Sequence, residues 1–409
     1  VNIYSGTAGV VSQADGSYSI NVNETSIVTF SHIGFNDVSI LANTIASIIQ
    51  MNSTMIDGKK IIVKAELGTQ NLFNVPSSIT ILNNRELEFK NDNHFQNLID
   101  LIPNLNYAGG TSRPRYFQIR GIGERSQYVG EGAPNFSVGF MVDGIDFSGI
   151  GMTGMLFDMQ QIEVFKGPQS SIYGPNAIAG LINITSAQPT PYIAGKSMIS
   201  IGSDNQKLAG FAVGGPLSSK LLFRFAFQKH SQNGFRENVF KNLTNTNKRN
   251  EMYTRIKLNW AITPIVNLHF VSFNSNLNNG YDVWSVDNNK DYITYSDEQG
   301  MDSQKSYSNS FKINCKDIIG ANAFYQYTNS TNKMEHSYDG DWANNNYWLE
   351  FPYNFNPDST YWEYSFFDKT IRNHGKETHE IRISSEITSS SSWIIGYYSS
   401  RTKELDDAT

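Results

Sequence analysis

The second half of the chain contains several segments in which apolar and polar side chains alternate residue by residue. In KLLFRFAFQ, which begins at Lys220, leucine or phenylalanine occupies every second position, and Arg224 and Gln228 lie on the other side. EMYTRIKLNW, which begins at Glu251, repeats the pattern, as do the shorter segments SFKINC and EIRIS. Successive side chains of a strand point to opposite faces, so this period of two predicts strands with one apolar face and one wet face. The need to cover every apolar face limits the possible folds more than any other feature of the sequence.

Two architectures meet this need: a soluble sandwich hides the apolar face against a second sheet, and a membrane barrel turns it towards lipid. The predicted strands are 194–203, 207–214, 219–230, 250–262, 265–276, 306–315, 320–329, 376–388 and 391–402. The links at 231–249, 277–305 and 330–375 are long, and those between them are short. Short turns on one side and long loops on the other are typical of outer-membrane barrels. The pattern therefore favours an antiparallel transmembrane β-barrel.

The number of predicted strands leads to an expectation about the ends of the chain. About nine strands can be counted, whereas single-chain bacterial barrels use even numbers and plugged transporters close with about 22 strands. The sequence opens on VNIYSGTAGV without a methionine and stops in the polar stretch RTKELDDAT. We therefore expect a chain truncated at both ends, in which strands 194–203 and 391–402 are the unpaired edges of an open sheet.

Composition excludes several other classes of function. The formal net charge of −6 gives no support for a nucleic-acid surface. The single cysteine, Cys315, cannot form an internal disulfide, and there is no cysteine and histidine cluster with zinc-binding spacing. No run of eighteen apolar residues predicts a transmembrane helix, and the N-terminus has no signal-peptide pattern. We expect neither a metal site nor a cofactor.

Motifs for catalysis are incomplete. Gly195, Lys196 and Ser197 resemble the end of a phosphate-binding loop, but the glycine required upstream is Thr190. The chain has no HExxH and no GxSxG sequence. An enzyme is not expected.

The segment IEVFKGPQSSIYGPNAIAGLINI, residues 162–184, has a different pattern, which predicts short strands joined by glycine-rich turns. Upstream lie VPSSITILNNRELE, LIDLIPNLNY, IRGIG and VGFMVDGI, in that order. These five fragments together resemble the plug domain of TonB-dependent outer-membrane receptors, over residues 66 to about 190. The resemblance implies a small mixed sheet inserted into the lumen of a wide barrel.

The same resemblance suggests contacts between plug and barrel. Arg120, Glu163 and Lys166 would lie at this contact, where a lumen lined by arginine, lysine and asparagine can satisfy them. The family usually carries arginine at the position of Lys166, which would allow bidentate pairing that a lysine does not. The alternative is that the three residues only hold the plug in place.

The N-terminal stretch SGTAGVVSQADGSYSINVNETSIVTFSHIGF resembles the carboxypeptidase-regulatory-like β-sandwich found before the plug in receptors of the Bacteroidota. We accordingly divide the chain into this module (1–57, expected in the periplasm), a linker (58–67), a plug domain (68–190) and the first strands of a barrel (191–409). The fold class is thus mainly β, with an α+β plug and an incomplete barrel.

The linker sequence GKKIIVKAEL has two interpretations. By family position, Ile61, Ile62 and Val63 would form the TonB box, a strand that pairs with the partner protein TonB. Alternatively, these residues are the last strand of the N-terminal module.

The resemblance implies active import across the outer membrane, driven by TonB with the inner-membrane ExbB–ExbD complex. A ferric siderophore or related iron chelate is the expected cargo, and cobalamin, haem or an oligosaccharide are alternatives. A passive porin or a surface adhesin would be a different class of protein, and neither explains residues 162–184. Outer-membrane lipid is the expected surrounding.

Loop 330–375 is the candidate for cargo contact because of its aromatic content. The aromatic side chains considered are Trp342, Tyr347, Trp348, Tyr361 and Trp362. Such rings could stack on a flat ligand or a sugar. The alternative is that they pack the loop or belong to an aromatic girdle at the membrane surface.

Overall fold

The chain folds into two compact units in the computed structural model, Val1–Val75 and Pro76–Thr409. The structure describes residues 1–6, 8–13, 15–32, 35–53, 62–63, 70–71, 75, 77–90, 94–124, 136–318, 320–350, 352–353, 358, 364–385 and 393–409. The fold is mainly β, as predicted. Across these residues, no helix has both the length and the apolar character needed to cross a membrane.

The first unit contains one antiparallel four-stranded sheet in its described residues. Its strands are β1 (Asn2–Ser5), β2 (Ala8–Val11), β3 (Ile27–Ser31) and β4 (Val38–Leu41), in the order β2-β1-β3-β4. Ile3, Val28 and Phe30 are buried on one face of this sheet. A short 3-10 helix, Ala42–Thr44, follows β4. Two further strands, β5 (Ile62–Val63) and β6 (Gln70–Asn71), pair with each other.

The second unit begins with the plug segment, which has a mixed sheet as the sequence predicts. Its strands are β7 (Ile79–Asn83), β8 (Leu105–Tyr107), β9 (Phe117–Ile119), β10 (Val138–Val142), β11 (Ile145–Asp146), β12 (Met159–Lys166) and β13 (Gly180–Ser186). Its helices are α1 (Asn84–Lys90) and α2 (Ser170–Tyr173), with 3-10 helices at Phe95–Leu101 and Gly151–Thr153. The main sheet has the order β11-β10-β13-β12-β7, with β10 and β13 parallel and the other pairs antiparallel.

The segment 162–184 forms the centre of this sheet. Strand β12 leads into α2, and the chain returns as β13 beside β12. Gly174 ends α2 with a φ of +82°, a backbone conformation that favours glycine. A Cβ atom at Gly180 would lie 2.2 Å from the carbonyl oxygen of Phe165, so only glycine allows the two strands to approach here. The glycines of this segment therefore allow the chain to reverse direction between β12 and β13 within a small space.

The described residues after the plug segment include an antiparallel sheet of nine strands, which we call the wall. Its strands are β14 (Ala194–Gly202), β15 (Gln206–Pro216), β16 (Leu221–Gln232), β18 (Arg249–Ala261), β19 (Val266–Gly280), β21 (Met301–Ile318), β22 (Ala321–Asp339), β23 (Phe367–Ser385) and β24 (Ile394–Ala408). The loops add β17 (Glu237–Asn238), β20 (Ile293–Thr294) and α3 (Asn345–Leu349). In the described residues β14 and β24 each pair with one neighbour, so the sheet is open and its edges lie where the sequence predicts.

Several wall strands extend further towards the long loops than predicted. β21 begins at Met301 rather than at residue 306, and β22 ends at Asp339 rather than at residue 329. The residues on their outer face in this region, such as Lys305 and Lys333, are polar, so the apolar alternation that marks a strand is absent there. β23 likewise begins at Phe367 rather than at residue 376.

The two faces of the wall differ in polarity. On β16 the inner positions Arg224, Gln228 and His230 are buried, and Phe223 and Phe225 project from the outer face. The plug segment packs against the inner face. Phe147 of the plug contacts Phe273 of β19, with ring centroids 5.5 Å apart. Many of the buried inner positions are nevertheless polar or charged. The wall therefore presents a polar inner face that the plug must complement.

Candidate site at the plug and wall contact and the long loops

Two plug arginines pair with wall carboxylates near the long-loop ends of the strands. Arg113 donates from Nε and Nη2 to the two carboxylate oxygens of Glu251, each at 2.7 Å, and both side chains are almost fully buried. Arg115 donates from Nη2 to Oδ1 of buried Asp302, and Oδ2 of Asp302 accepts from the backbone N–H of Ser112 at 2.6 Å. Bidentate arginine pairs are the form in which a buried charge is best satisfied.

Three plug aspartates pair with wall cations further from the long loops. Asp158 accepts from Arg224 Nε at 2.7 Å and from Arg255, whose Nη2 also donates to the carbonyl oxygen of Asp158 at 2.9 Å. Asp143 accepts from Lys257 Nζ at 2.9 Å. Asp146 accepts from the ammonium of Lys376 on β23, and from Asn176 at 3.1 Å.

The pKa of the Asp143 carboxyl shows how strongly the wall cations act on it. Burial alone would raise this pKa, but the positive charges of Lys257 and Arg255 and two hydrogen bonds from Ser186 lower it to about 2. Burial acts in the same direction on Asp146, and Lys376 again outweighs it, so the pKa of that carboxyl is also lowered. The charged forms of both groups are therefore favoured in the folded protein.

The five pairs are sorted along the wall by sign. Plug cations meet wall anions at the long-loop end, and plug anions meet wall cations deeper in the sheet. This arrangement orients the plug as well as holding it, because a shifted or inverted plug would bring like charges together. Removal of one partner of such a pair leaves an uncompensated buried charge, which costs about 3–5 kcal/mol.

The three residues predicted for this contact are not among the ion pairs described above. Glu163 is fully buried in the plug and accepts from Gln161 and Asn183, both plug residues, at 2.6 and 2.9 Å. Arg120 is exposed at a left-handed turn with a φ of 54°. Lys166 ends β12, where burial and the nearby charge of Arg120 lower its pKa. The ion pairs described above thus use plug residues that the sequence did not single out.

The residues predicted to couple to TonB fall at the edge of what the structure describes. Ile61 lies outside the described residues. Ile62 and Val63 form β5, and Ile62 pairs with Asn71 and Val63 with Gln70. In the described residues β5 is separate from the four-stranded sheet β1–β4. Coupling through residues 61–63 stays a prediction.

The long loops bring aromatic side chains together. Trp342 stacks on Trp284 with ring centroids 6.0 Å apart, and the two side chains are 41% and 50% exposed. Tyr347 packs against Tyr295 at 4.5 Å, and Trp348 lies 5.6 Å from Tyr347. Trp342 thus exposes part of its ring, whereas Tyr347 joins the two loops through Tyr295, and Trp348 packs beside Tyr347. Tyr361 and Trp362 lie outside the described residues.

Three carboxylates of the same loops form an acidic cluster. Asp297, Asp339 and Asp341 each place a carboxylate oxygen within 4.8 Å of the others, a geometry that could hold a cation. Asp339 is the last residue of β22 and lies beyond the part of this strand whose outer face is apolar. Burial and the neighbouring Asp341 raise the pKa of Asp339 to about 7. Burial also raises the pKa of Asp297 and of Asp341.

A further aromatic group that the sequence did not single out lies near the plug arginines. Tyr281, just after β19, contacts the ring of His336 at 4.7 Å and that of Tyr338 at 6.3 Å. His336 lies 3.3 Å from Asp302, the partner of Arg115. The three rings are therefore close to the charge pairs that hold the plug. The only sequence signal for them is their place at the loop ends of strands that were predicted too short.

Comparisons with known proteins match the segment that packs against the wall. The family model described as TonB-dependent Receptor Plug Domain matches residues 71–181. Residues 71–181 are thus similar to the plug domain of TonB-dependent receptors. The matched range includes Arg113, Arg115, Asp143, Asp146 and Asp158, which are the plug residues of the five charge pairs.

Relatives and solved structures extend the likeness beyond the plug domain. The iron-regulated outer membrane virulence protein of Vibrio cholerae is 25% identical over 233 residues, which cover 54% of this chain and 34% of that protein. The ferrioxamine B receptor of Salmonella typhimurium is 24% identical over 211 residues, or 48% of this chain and 27% of that receptor. The ferric yersiniabactin uptake receptor FyuA from Yersinia pestis has a similar fold, with a TM-score of 0.67 and 16% identity over 81% of this chain and 49% of FyuA.

These matches support a TonB-dependent receptor, with the plug domain beside a barrel wall. The chain spans about a third of the length of the curated relatives it matches. Two of the three proteins are named as receptors, which is consistent with the expectation that the chain is not an enzyme. The carboxypeptidase-regulatory-like assignment of residues 1–57 stays a prediction.

Proposed function

We propose that this protein imports a ferric siderophore or a related iron chelate across the bacterial outer membrane by TonB-dependent transport. The observation that carries the proposal is a plug domain fixed to the inner face of a barrel wall by five charge pairs that are largely buried. In a complete barrel, a domain held in this way would close the lumen, so that passage of a solute would require work on the plug. The names of the relatives, which concern iron, ferrioxamine and yersiniabactin, support iron chelates as the cargo.

The long loops would capture the cargo first. Trp284 and Trp342 expose a stacked aromatic pair, a surface suited to planar or aromatic groups of an iron chelate. Tyr281, His336 and Tyr338 lie deeper, beside the plug arginines, and would form the next contact. The cargo would thus approach the plug from the side on which the plug carries Arg113 and Arg115.

Release from the site would require loosening of the plug. The paired charges of the interface are largely buried, so they can be separated only if water or other partners replace the lost contacts. In this proposal TonB, energised by ExbB–ExbD, pulls on a strand that includes Ile61, Ile62 and Val63. The N-terminal module would lie in the periplasm and the wall in the outer membrane.

Uptake of iron by cells tests the proposal. A strain that lacks the gene should take up radioactive ferric siderophore poorly, and the restored gene should return uptake only when TonB is present. Ile62→Pro should abolish uptake and leave cargo binding unchanged, because proline removes the backbone donor of a pairing strand. Ile62→Val is the matched control and should transport normally.

Other outcomes of the same experiment would contradict the proposal. Uptake that persists without TonB would indicate a passive pore. A growth defect on cobalamin, haem or a single glycan, with normal growth under iron limitation, would identify a different cargo. Wild-type uptake by the Ile62→Pro variant would place the coupling strand elsewhere in the chain.

A further inference from the structure

A group of lysines lies on the outer face of the wall, next to its aromatic side chains on the long-loop side. Residues that pair with each other across neighbouring strands form a row. One such row runs from Phe227 through Thr254 and Asn274 to Tyr307. The next outward position towards the long loops is Lys229 on β16 and Lys305 on β21. The positive charges therefore begin one position beyond the aromatic row.

The lysines share one row with each other. Lys229 aligns with Met252, Asn276 and Lys305, and Lys305 is directly opposite Lys333 on β22. Three strand spacings separate Lys229 from Lys305, or about 14 Å. A shallow depression of about 350 Å³ lies over this row. It is lined by the three lysines and by polar residues that include Asn250, Asn276 and Asn278.

The charges in this depression are poorly balanced by the protein. Lys305 and Lys333 are exposed, and like charges directly opposite each other in a sheet are destabilising. The carboxylate of Glu335, which also lines the depression, is paired with Lys369 at 2.9 Å. Lys229 donates to Asn250, a neutral group. In the described part of the chain, no salt bridge reaches any of the three ammonium groups.

We propose that this depression binds the phosphorylated headgroup of a membrane lipid in the leaflet on the long-loop side. The position selects the ligand, because the outer face next to an aromatic row is where headgroups lie. Lysine stems lie along apolar surface while the ammonium reaches the polar layer. The spread of the row suits a headgroup with more than one phosphate, which would bridge Lys229 and the pair Lys305 and Lys333. This inference rests on the outer-membrane location proposed above.

Lipid binding by the membrane-inserted protein tests this inference. The protein is produced in outer membranes, extracted in mild detergent and titrated with a diphosphorylated glycolipid and with its dephosphorylated form. The wild type should bind the phosphorylated lipid and discriminate against the dephosphorylated one. The double variant Lys305→Gln and Lys333→Gln should bind the phosphorylated lipid at least about tenfold more weakly, since each lysine near an anionic surface contributes about 1 kcal/mol.

A lysine from the other side of the wall provides the matched control. Lys220 is exposed in the short turn between β15 and β16, so Lys220→Gln removes the same charge far from the depression and should bind as the wild type does. Equal binding by the double variant and the wild type, equal weakening by Lys220→Gln, or equal affinity for the dephosphorylated lipid would each overturn the inference.

Membrane insertion and iron uptake, measured on the same preparations, separate this inference from the proposed function. Unchanged lipid binding by a double variant that inserts and transports normally would overturn the lipid site alone. A wild-type protein that does not insert into outer membranes would overturn both.

Discussion

The plug and wall contact and the long-loop cluster both bury carboxylates, and they treat them in opposite ways. At the contact, Asp143 faces Lys257 and Arg255, and its pKa falls to about 2. In the loops, Asp339 faces Asp341, and its pKa rises to about 7. Burial raises the pKa in both places, so the neighbouring charges decide the outcome. The carboxylates of the contact therefore stay charged near neutral pH, whereas the charge of the loop cluster changes with pH near neutrality.

The largest expected effect comes from breaking the contact at Asp158. Asp158→Asn leaves Arg224 and Arg255 without their carboxylate and should destabilise the protein by about 3–5 kcal/mol. The midpoint of chemical denaturation in detergent measures this loss. Asp158 has a φ of 62°, which asparagine tolerates, so backbone strain does not enter.

Asp204→Asn is the matched control, because Asp204 has a φ of 56° and is exposed in the turn between β14 and β15. It should change stability by less than about 0.5 kcal/mol. Replacing Arg224 and Arg255 by methionine in the Asp158→Asn background should recover part of the loss. If Asp158→Asn and Asp204→Asn are equally stable, the contact does not hold the plug.

Acid provides a second test of the contact. The pKa of Asp143 in the folded protein is lowered, so its contribution is complete above the ordinary value of 3.8 and is lost as the pH falls towards about 2. The size of this contribution is about 2 kcal/mol. Denaturation midpoints measured between pH 5 and pH 2 should show it in the wild type and not in Asp143→Asn. The same acid dependence in both proteins would show that other groups are responsible.

How much of this comparison the sequence could predict depends on the range of the interactions. The alternation of Phe223, Arg224 and Phe225 fixes which side of β16 faces the plug, because it depends only on neighbouring residues. The partner of Arg113 is Glu251, 138 residues away, and no local pattern connects them. Glu163 was expected at the contact because its family position suggested it, yet its amide partners are its own strand neighbours. Periodicity thus predicts faces, and pairing requires the fold.

The loop cluster should respond to pH in the direction opposite to Asp143. The pKa of Asp339 is raised, so the packing of the loops is most stable when this carboxyl is protonated. The stability of the loops should therefore fall as the pH rises from 3.8, the ordinary pKa of an aspartate, to about 7, the pKa of Asp339 in the folded protein. Tryptophan fluorescence can follow the change, because Trp342 comes directly after Asp341. Asp341→Asn should move the midpoint to lower pH. Asp291→Asn, an exposed site in loop 281–300, should leave it in place. A wild-type signal that is constant between pH 4 and pH 8 would contradict the prediction.

The smallest effect is expected at the exposed aromatic pair. Trp342→Ala removes a stacked ring that is 41% exposed, so it should weaken binding of the iron chelate by about two- to tenfold, the range that aromatic pairs of about 0.5–1.5 kcal/mol allow. The stability of the plug contact should not change, because Trp342 does not belong to it. Trp342→Phe keeps an aromatic ring at the same positive φ of 63° and should retain most of the affinity.

A double-mutant cycle with Trp284→Ala tests whether the two rings act together. If both rings contact one ligand, the loss of binding free energy in the double variant should be smaller than the sum of the losses in the two single variants. Unchanged affinity in Trp342→Ala would mean that the pair only packs the loops, which would leave Tyr281, His336 and Tyr338 as the first aromatic contact for the cargo.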